Sequence, residues 1–153
     1  MKISKELSQI SPRMYRKWAL PYEQRIFTAV KAMATTNGVA TLARLHICGD
    51  TNRILADMAS SGADIIDVDW MVNIARAAQT FGDGPAVCGN FDPVAVMLRG
   101  TPDDVYAATL ANMQQGGTYC ISAAGCEIPD GTPLENLHAQ RRALGDFVQL
   151  QEM

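Results

Sequence analysis

The sequence lacks a long apolar run. No segment approaches the roughly 18–20 consecutive apolar residues that a membrane-spanning helix needs. The first twelve residues, MKISKELSQISP, also lack the apolar stretch that is typical of a signal peptide. These two absences argue against a membrane protein and against secretion, and they predict a cytoplasmic protein.

Concentrated positive charge is also absent. The chain carries 13 Lys and Arg against 16 Asp and Glu, and its net charge is −3. The one basic cluster lies within residues 13–17, where Met14 and Tyr15 interrupt it. Since a nucleic-acid-binding domain needs a dense basic face, we interpret this cluster as a solvated helix turn and expect no nucleic-acid partner.

The composition is otherwise that of an ordinary globular domain, with 48% apolar and 19% charged residues. We interpret residues 1–153 as one domain, in which residues 1–17 lead into the first helix. Cysteine is scarce, with four residues, and histidine scarcer, with two. In a reducing compartment such cysteines are expected to be thiols or metal ligands rather than disulfides.

Helical and strand-like segments alternate along the chain. Apolar runs rich in β-branched residues predict strands, and segments with helical spacing, caps and Pro at the first turn predict helices. Thr101 with the following acids, and Thr132 with Glu135, are typical helix starts. The predicted helices cover residues 18–36, 52–62, 71–82, 93–100, 101–117 and 132–150, and the predicted strands cover residues 39–48, 63–70, 85–93 and 118–129.

This alternation predicts an α/β fold with four βα units, a parallel sheet and flanking helices. Two architectures fit the pattern. One is a small doubly wound open sheet. The other is half of a (β/α)8 barrel, since a whole barrel needs about 250 residues.

Reactive side chains collect at the predicted strand ends, where parallel α/β folds bind their ligands. His46 and Cys48 lie two apart at the end of the first strand, so both side chains face the same side. Together they could supply two ligands of a zinc site, and Cys126, after a glycine in the last strand-to-helix turn, is the best candidate for the third. The alternative is that Cys48 is a small core residue.

The remaining polar residues at the strand ends allow more than one interpretation. Asp67 and Asp69 share a strand face and could act as general bases or orient His46, or Asp69 could cap the next helix. Asn90 and Asp92 fit either turn chemistry or function. The other candidate ligands have simpler explanations: we interpret Cys88 and Cys120 as core residues and His138 as an ordinary position on the last helix.

Four motifs in order resemble the carboxyl-terminal half of the uroporphyrinogen decarboxylase superfamily: LHICGDTNRIL, DVDW, CGNFDPVAVMLRGTPDDV and ISAAGCEIPDGTPLENLHA. More narrowly, they resemble its zinc-dependent branch, the methylcobalamin:coenzyme M methyltransferases and related corrinoid-linked enzymes. The resemblance runs from about Ile10 to the end of the chain. It implies a (β/α)8 family fold of which this chain holds four βα units, the half-barrel form of a uroporphyrinogen decarboxylase-like domain.

The resemblance also implies a function. In that branch, zinc bound by a His-x-Cys pair and a distant Cys activates a thiol that attacks the methyl group of a methylcorrinoid. The matching residues are His46, Cys48 and Cys126, and the resemblance places Glu127, Asp67, Asp69 and Asn90 around the pocket as catalytic candidates. It implies Zn²⁺ as cofactor, and a corrinoid protein or a small thiol as partner.

Three roles remain open for a chain without the first half of the barrel. Two copies could close a barrel as a homodimer, a separate chain could supply the other half, or the chain could be a non-catalytic half-barrel module. Tetrapyrrole decarboxylation is a further alternative, because superfamily membership covers it. The zinc cysteines and the absence of the arginine-rich amino-terminal segment that holds porphyrin carboxylates argue against decarboxylation.

Overall fold

In the computed structural model of the protein, residues 10–33 and 41–151 are described. Helices and strands alternate along these residues as the sequence predicts. A short π-helical segment lies between the third strand and the helix that follows it. The bounds are α1 (Pro12–Trp18), α2 (Leu20–Lys31), β1 (Arg44–Ile47), α3 (Leu55–Ala59), β2 (Ile65–Val68), α4 (Ile74–Phe81), β3 (Ala86–Phe91), the π-helical segment (Pro93–Leu98), α5 (Pro102–Gly116), β4 (Cys120–Ala124) and α6 (Leu134–Gln151).

The four strands form one parallel sheet in the order β1-β2-β3-β4. The predicted α/β fold with a parallel sheet and flanking helices is therefore confirmed. A doubly wound sheet reverses its strand order at a switch point and carries helices on both faces. This sheet does neither in the described residues, and its consecutive order is that of a (β/α)8 barrel segment.

The sheet buries one face against the helices. Strand residues alternate between two faces, so every second side chain enters the helical layer. Leu45, Ile66 and Val87 join residues of α3 and α4 in the larger core cluster, and Phe91 and Ala124 join residues of α5 and α6 in the smaller one. The intervening positions face the other side of the sheet and include Arg44, His46, Asp67, Cys88 and Ile121.

Side-chain caps fix the beginning of several helices. Thr101 accepts a hydrogen bond from the Asp104 backbone N–H, and Asp104 accepts one from the Thr101 backbone N–H, which completes a capping box at α5. Asn73 caps α4 through a hydrogen bond from the Arg76 backbone N–H. The predicted start at Thr101 is thus confirmed.

The first helical region differs from the prediction. Instead of one helix over residues 18–36, the chain forms α1 and α2, which meet at Ala19, and residues 34–36 lie outside the described part. Ser11 caps α1, whose first residue is Pro12, so residues 12–17 of the predicted lead-in belong to a helix, while residues 1–9 lie outside the described part. Pro21 lies in the first turn of α2, where its missing N–H costs no hydrogen bond within the helix.

The other elements are shorter than predicted, because loops replace their ends. β1 begins at Arg44, whereas the predicted strand begins at residue 39; residues 39–40 lie outside the described part of the chain. The predicted helix over residues 52–62 reduces to Leu55–Ala59, and residues 93–98 are π-helical rather than α-helical. β2, β3 and β4 also span fewer residues than the runs that predicted them.

The described helices α3 and α6 begin without a side-chain cap, and α6 is the helix for which Thr132 is the predicted cap. α3 has Ile54 at its N-cap without a side-chain bond, because the Asp50 carboxylate binds the backbone and side chain of Asn52 in the preceding turn. At the start of α6, the Thr132 hydroxyl donates to the Pro129 carbonyl instead of accepting from the helix. Among the helices that the structure describes, none is long and apolar enough to cross a membrane.

Candidate metal centre

β1 presents His46 and Cys48 on the face of the sheet away from the helices. Leu45 and Ile47 alternate with them and are buried in the core, so the strand cannot rotate without exposing both. His46 retains 29% side-chain exposure, and Cys48 is half-buried just beyond the strand end. Because side chains alternate between the two faces of a strand, the His46 imidazole and the Cys48 thiol lie on the same side of the sheet.

The loop after β4 brings Cys126 to the same place from the far edge of the sheet. β1 and β4 are separated by three strand spacings, roughly 14 Å. The loop crosses this gap over the strand ends: the Gly125 N–H donates to the Phe91 carbonyl at 2.9 Å. A Cβ at Gly125 would lie 2.2 Å from the Trp70 backbone nitrogen, so only glycine allows this close crossing.

The three side chains converge. His46 Nε2 lies 3.0 Å from Cys48 Sγ, and Cys48 Sγ lies 3.6 Å from Cys126 Sγ. All three potential ligand atoms fall within 4.8 Å of one another. The three residues that the sequence analysis predicts as metal ligands therefore lie side by side in the structure, although 78 positions separate the two cysteines along the chain.

Asp67 holds the opposite side of the His46 ring. Its backbone carbonyl oxygen lies 3.0 Å from His46 Nδ1, and its Oδ2 lies 3.2 Å from the same nitrogen. Arg44, two residues before His46 on β1, donates to the same Oδ2. These contacts place the Nδ1–H on the Asp67 side, which leaves Nε2 directed at the sulfurs.

The charges of this group are mutually dependent. The hydrogen bond to Asp67 raises the pKa of His46 to about 9, against the smaller opposing effect of burial. Burial would raise the pKa of Asp67, yet hydrogen bonds from His46 and Arg44 hold it below its ordinary value. Burial, assisted by the neighbouring Cys126 thiol, raises the pKa of Cys48 to about 11. Without a cation beside it, the Cys48 sulfur therefore remains a thiol near neutral pH.

The other predicted site residues are placed differently. Asp69 accepts hydrogen bonds from the backbone N–H groups of Gly49 and Met71, so it supports the loop after β1 instead of capping α4. Asn90 is buried and donates to the backbone carbonyls of Asp69 and Val72. Both residues stabilise the loops behind the three ligands, rather than facing the space in front of them.

A cleft of about 470 Å³ opens in front of the ligands. His46, Asp67 and Cys126 contribute to its wall, together with the exposed Glu127. Asp69 and Asn90 are not among the described residues that line it. The remaining lining residues are Arg44, Ala123, Ala124 and Ile128.

The residues excluded from the site lie elsewhere. Cys88 is 2% exposed within β3, and Cys120 packs against the larger core cluster, as the sequence predicts. His138 is exposed on α6. Asp92 accepts from the backbone N–H groups of Val94 and Ala95 and caps the π-helical segment, which assigns it to turn chemistry.

Two contributors to the site were missed from the sequence. Arg44 shares its strand face with His46, so the alternation of β1 contains the signal for it. Gly125 precedes Cys126, and the sequence shows a turn there but not the crossing of the sheet. Such a crossing depends on sheet curvature and loop path, which no local pattern encodes.

The donor set fits a zinc ion. Zinc prefers imidazole nitrogen and thiolate sulfur, and tetrahedral coordination separates such ligand atoms by roughly 3.5–3.8 Å. The sulfur–sulfur distance of 3.6 Å meets this spacing, and the nitrogen–sulfur distance of 3.0 Å needs only a small rotation of side chains. The bond from the second ring nitrogen to Asp67 is the support that metal-binding histidines generally have.

Comparison with known proteins agrees with this architecture. The family model described as uroporphyrinogen decarboxylase (URO-D) matches residues 6–146. A methylcobamide:CoM methyltransferase of Methanosarcina mazei is 41% identical over 128 residues, which are 84% of this chain and 35% of that protein. A uroporphyrinogen decarboxylase of Nocardia farcinica is 31% identical over 116 residues, covering 76% of this chain and 30% of that protein.

The structural comparison points the same way. A methyltransferase from Methanosarcina mazei superposes with a TM-score of 0.77 and 28% sequence identity, over 91% of this chain and 38% of that one. The chain therefore spans about a third of the length of the relatives that it matches. On the family match over most of its length, the chain belongs to the uroporphyrinogen decarboxylase (URO-D) family.

Proposed function

We propose that this chain is the metal-binding part of an enzyme that transfers a methyl group from a methylated corrinoid to a thiol, with Zn²⁺ held by His46, Cys48 and Cys126. The observation that carries the proposal is the convergence of these three side chains from opposite edges of the sheet. Three protein ligands with an open fourth position are typical of catalytic rather than structural zinc. The methylcobamide:CoM methyltransferase relative supports the choice of reaction.

The side chains around the ligands have distinct parts in this proposal. Bound zinc supplies the Lewis acidity that keeps a thiol substrate deprotonated at neutral pH. Asp67 orients His46 so that Nε2 faces the cleft. Glu127, beside Cys126 on the cleft wall, lies where it can contact the bound thiol. The cleft of about 470 Å³ is large enough for a small thiol. A methylated corrinoid, free or carried by a partner protein, would approach from the open side of the cleft.

The chain needs further polypeptide to enclose this reaction. The face of the sheet that carries the ligands is not covered by helices in the described residues, whereas a complete barrel surrounds it. We propose that a second half-barrel, from another copy or a separate chain, completes the enclosure. Residues 1–153 then act as one uroporphyrinogen decarboxylase-like domain.

Zinc content per chain tests the ligand assignment directly. The full chain, purified under reducing conditions and dialysed with one equivalent of zinc, is expected to retain close to one zinc per chain by elemental mass spectrometry. Cys48→Ser and Cys126→Ser should each lose most of it, whereas Cys88→Ser, a matched change within the sheet, should retain it. Full retention by Cys126→Ser would overturn the assignment.

Turnover tests the reaction class. We expect the zinc-loaded chain, alone or with its complementing half, to demethylate methylcobalamin in the presence of coenzyme M, followed by the absorbance change of the corrinoid. Decarboxylation of uroporphyrinogen by the metal-free chain would favour the decarboxylase alternative instead. Zinc retention without turnover in any complemented state would favour the non-catalytic half-barrel module.

A further inference from the structure

The two thiols of the metal centre lie in contact with each other. Cys48 Sγ and Cys126 Sγ are 3.6 Å apart, and both side chains are half-buried. Cys126 also lines the open cleft, so a small oxidant in solvent reaches the pair. Closing the gap to a disulfide bond length of about 2.05 Å takes a movement of roughly 1.6 Å, which one side-chain rotation on a loop can supply.

We propose that Cys48 and Cys126 form an oxidative modification site, at which a peroxide converts the pair to a disulfide that excludes the metal. This inference rests on the proposed function only for the identity of the metal. The thiol pairing itself rests on geometry. A disulfide removes two of the three ligands, so the oxidised chain and the metal-loaded chain are mutually exclusive states.

The chemistry needs one peroxide molecule for each disulfide. A thiolate of the pair attacks a peroxide oxygen; an S–O bond forms, the O–O bond breaks, and hydroxide leaves with the proton as water. The second sulfur then attacks the resulting sulfenic acid; the S–S bond forms and the S–O bond breaks, releasing a second water. The two sulfurs lose two electrons, and the peroxide oxygens gain them.

The other two cysteines cannot form a disulfide with each other. Cys88 is paired with Ile121 across the β3–β4 ladder, and Cys120 is the residue before Ile121. Adjacent residues of a strand point to opposite faces, so the sheet lies between the Cys88 and Cys120 side chains. The Cys120 sulfur contacts the Asn112 carbonyl on the helical side. These two cysteines provide an internal control.

The test counts thiols in the metal-free chain before and after treatment with one equivalent of hydrogen peroxide. After denaturation, the free thiols are expected to fall from the four in the sequence to two, and dithiothreitol should restore all four. Peptide mapping should find residues 48 and 126 linked. The Cys88→Ser/Cys120→Ser double variant should fall from two thiols to none, and Cys126→Ser should form no internal disulfide.

Loading with zinc separates this inference from the proposed function. A zinc-loaded chain should oxidise on the order of tenfold more slowly, since bound thiolates are shielded from peroxide. Four remaining thiols, a bridge that includes Cys88 or Cys120, or loss that dithiothreitol does not reverse would each overturn the inference. If the disulfide forms in a chain that never binds zinc, the proposed function fails while the thiol pair stands.

Discussion

His46 directs its Nδ1 atom at the backbone carbonyl oxygen of Asp67, 3.0 Å away on the neighbouring strand. The two residues are direct partners in the β1–β2 register, so the pairing of the sheet itself sets the orientation of the ring. The Asp67 carboxylate adds a second acceptor at 3.2 Å.

Replacing Asp67 with Asn should weaken zinc binding by about tenfold, because the side chain no longer provides a charged acceptor for His46. A chelator competition titration measures the affinity. Asp57→Asn, which removes a carboxylate that pairs with Arg16 on the surface, serves as control and should leave the affinity unchanged. An unaltered affinity in Asp67→Asn would mean that the backbone carbonyl alone orients the ring.

Gly125→Ala should displace the loop that carries Cys126, because a Cβ there would overlap the Trp70 backbone nitrogen. We expect zinc retention to fall to a small fraction of the wild-type value, and the free energy of unfolding to fall by about 1–3 kcal/mol from overpacking. Urea unfolding and elemental analysis measure the two effects.

Gly145→Ala is the matched control for this change. Gly145 lies inside α6, and a Cβ there meets no atom of the described residues within 4 Å. Since alanine is the better helix former, this variant should gain about 0.5–1 kcal/mol and retain zinc. Equal zinc retention by the two variants would show that the close crossing at Gly125 does not position Cys126.

Asn90→Ala should destabilise the chain without changing the lining of the cleft, because Asn90 is not among the described residues that line it. Asn90 is 7% exposed, and its side-chain amide donates hydrogen bonds to the backbone carbonyls of Asp69 and Val72. Without this amide, both carbonyl oxygens would lose these hydrogen bonds in a buried environment. We expect a loss of about 2–3 kcal/mol in the free energy of unfolding, measured with urea. Gln115→Ala, on the exposed side of α5, should change it by less than about 0.5 kcal/mol.

Asp64 links the end of α2 to the start of β1. Its carboxylate accepts from the Ala43 backbone N–H at 2.8 Å and pairs with Lys31 at 2.6 Å. The backbone hydrogen bond, followed by the bond from Lys31, lowers the pKa of Asp64 in the folded chain. A lowered folded pKa stabilises the fold above the unfolded pKa of about 3.9, and this stabilisation is lost as the pH falls through the folded pKa.

Asp64→Asn should therefore be about 1 kcal/mol less stable than the wild type at pH 7, and this difference should shrink as the pH falls below about 4. Urea unfolding at a series of pH values measures it. Asp83→Asn, at an exposed turn position, should match the stability of the wild type at pH 7. A difference that grows toward low pH would contradict the assigned direction.

Local patterns in the sequence predict the fold well, because parallel strands with buried faces carry strong apolar runs. The order of helices and strands and the cap at Thr101 follow from such patterns. The break at Ala19 was missed, although Ser11 followed by Pro12 is a typical helix start. Strand ends were overextended, because apolar loop residues such as Ala43 are buried without belonging to the ladder.

The site was predictable only in part. Strand alternation places His46 and Cys48 together, and the resemblance to relatives adds Cys126. The residue types alone do not predict that Asp69 and Asn90 support loops. A polar residue at a strand end can take part in catalysis or can form hydrogen bonds with buried backbone groups, and the two roles need the same residue types. The contact of Cys126 with Cys48 depends on how far the last loop reaches, which is a property of the folded sheet.

The loop that crosses the strand ends has a consequence for the unfolding of the whole chain. Each βα unit contacts chiefly its neighbours, so the first and last strands could fray independently. A link between Cys48 and Cys126 would join these two edges, although 78 positions separate the two residues. The entropic cost of closing such a long loop is modest, because it grows only with the logarithm of the loop length. A metal ion or a disulfide that joins Cys48 and Cys126 therefore couples the two edge strands, so that neither edge of the sheet can unfold locally while the other stays folded.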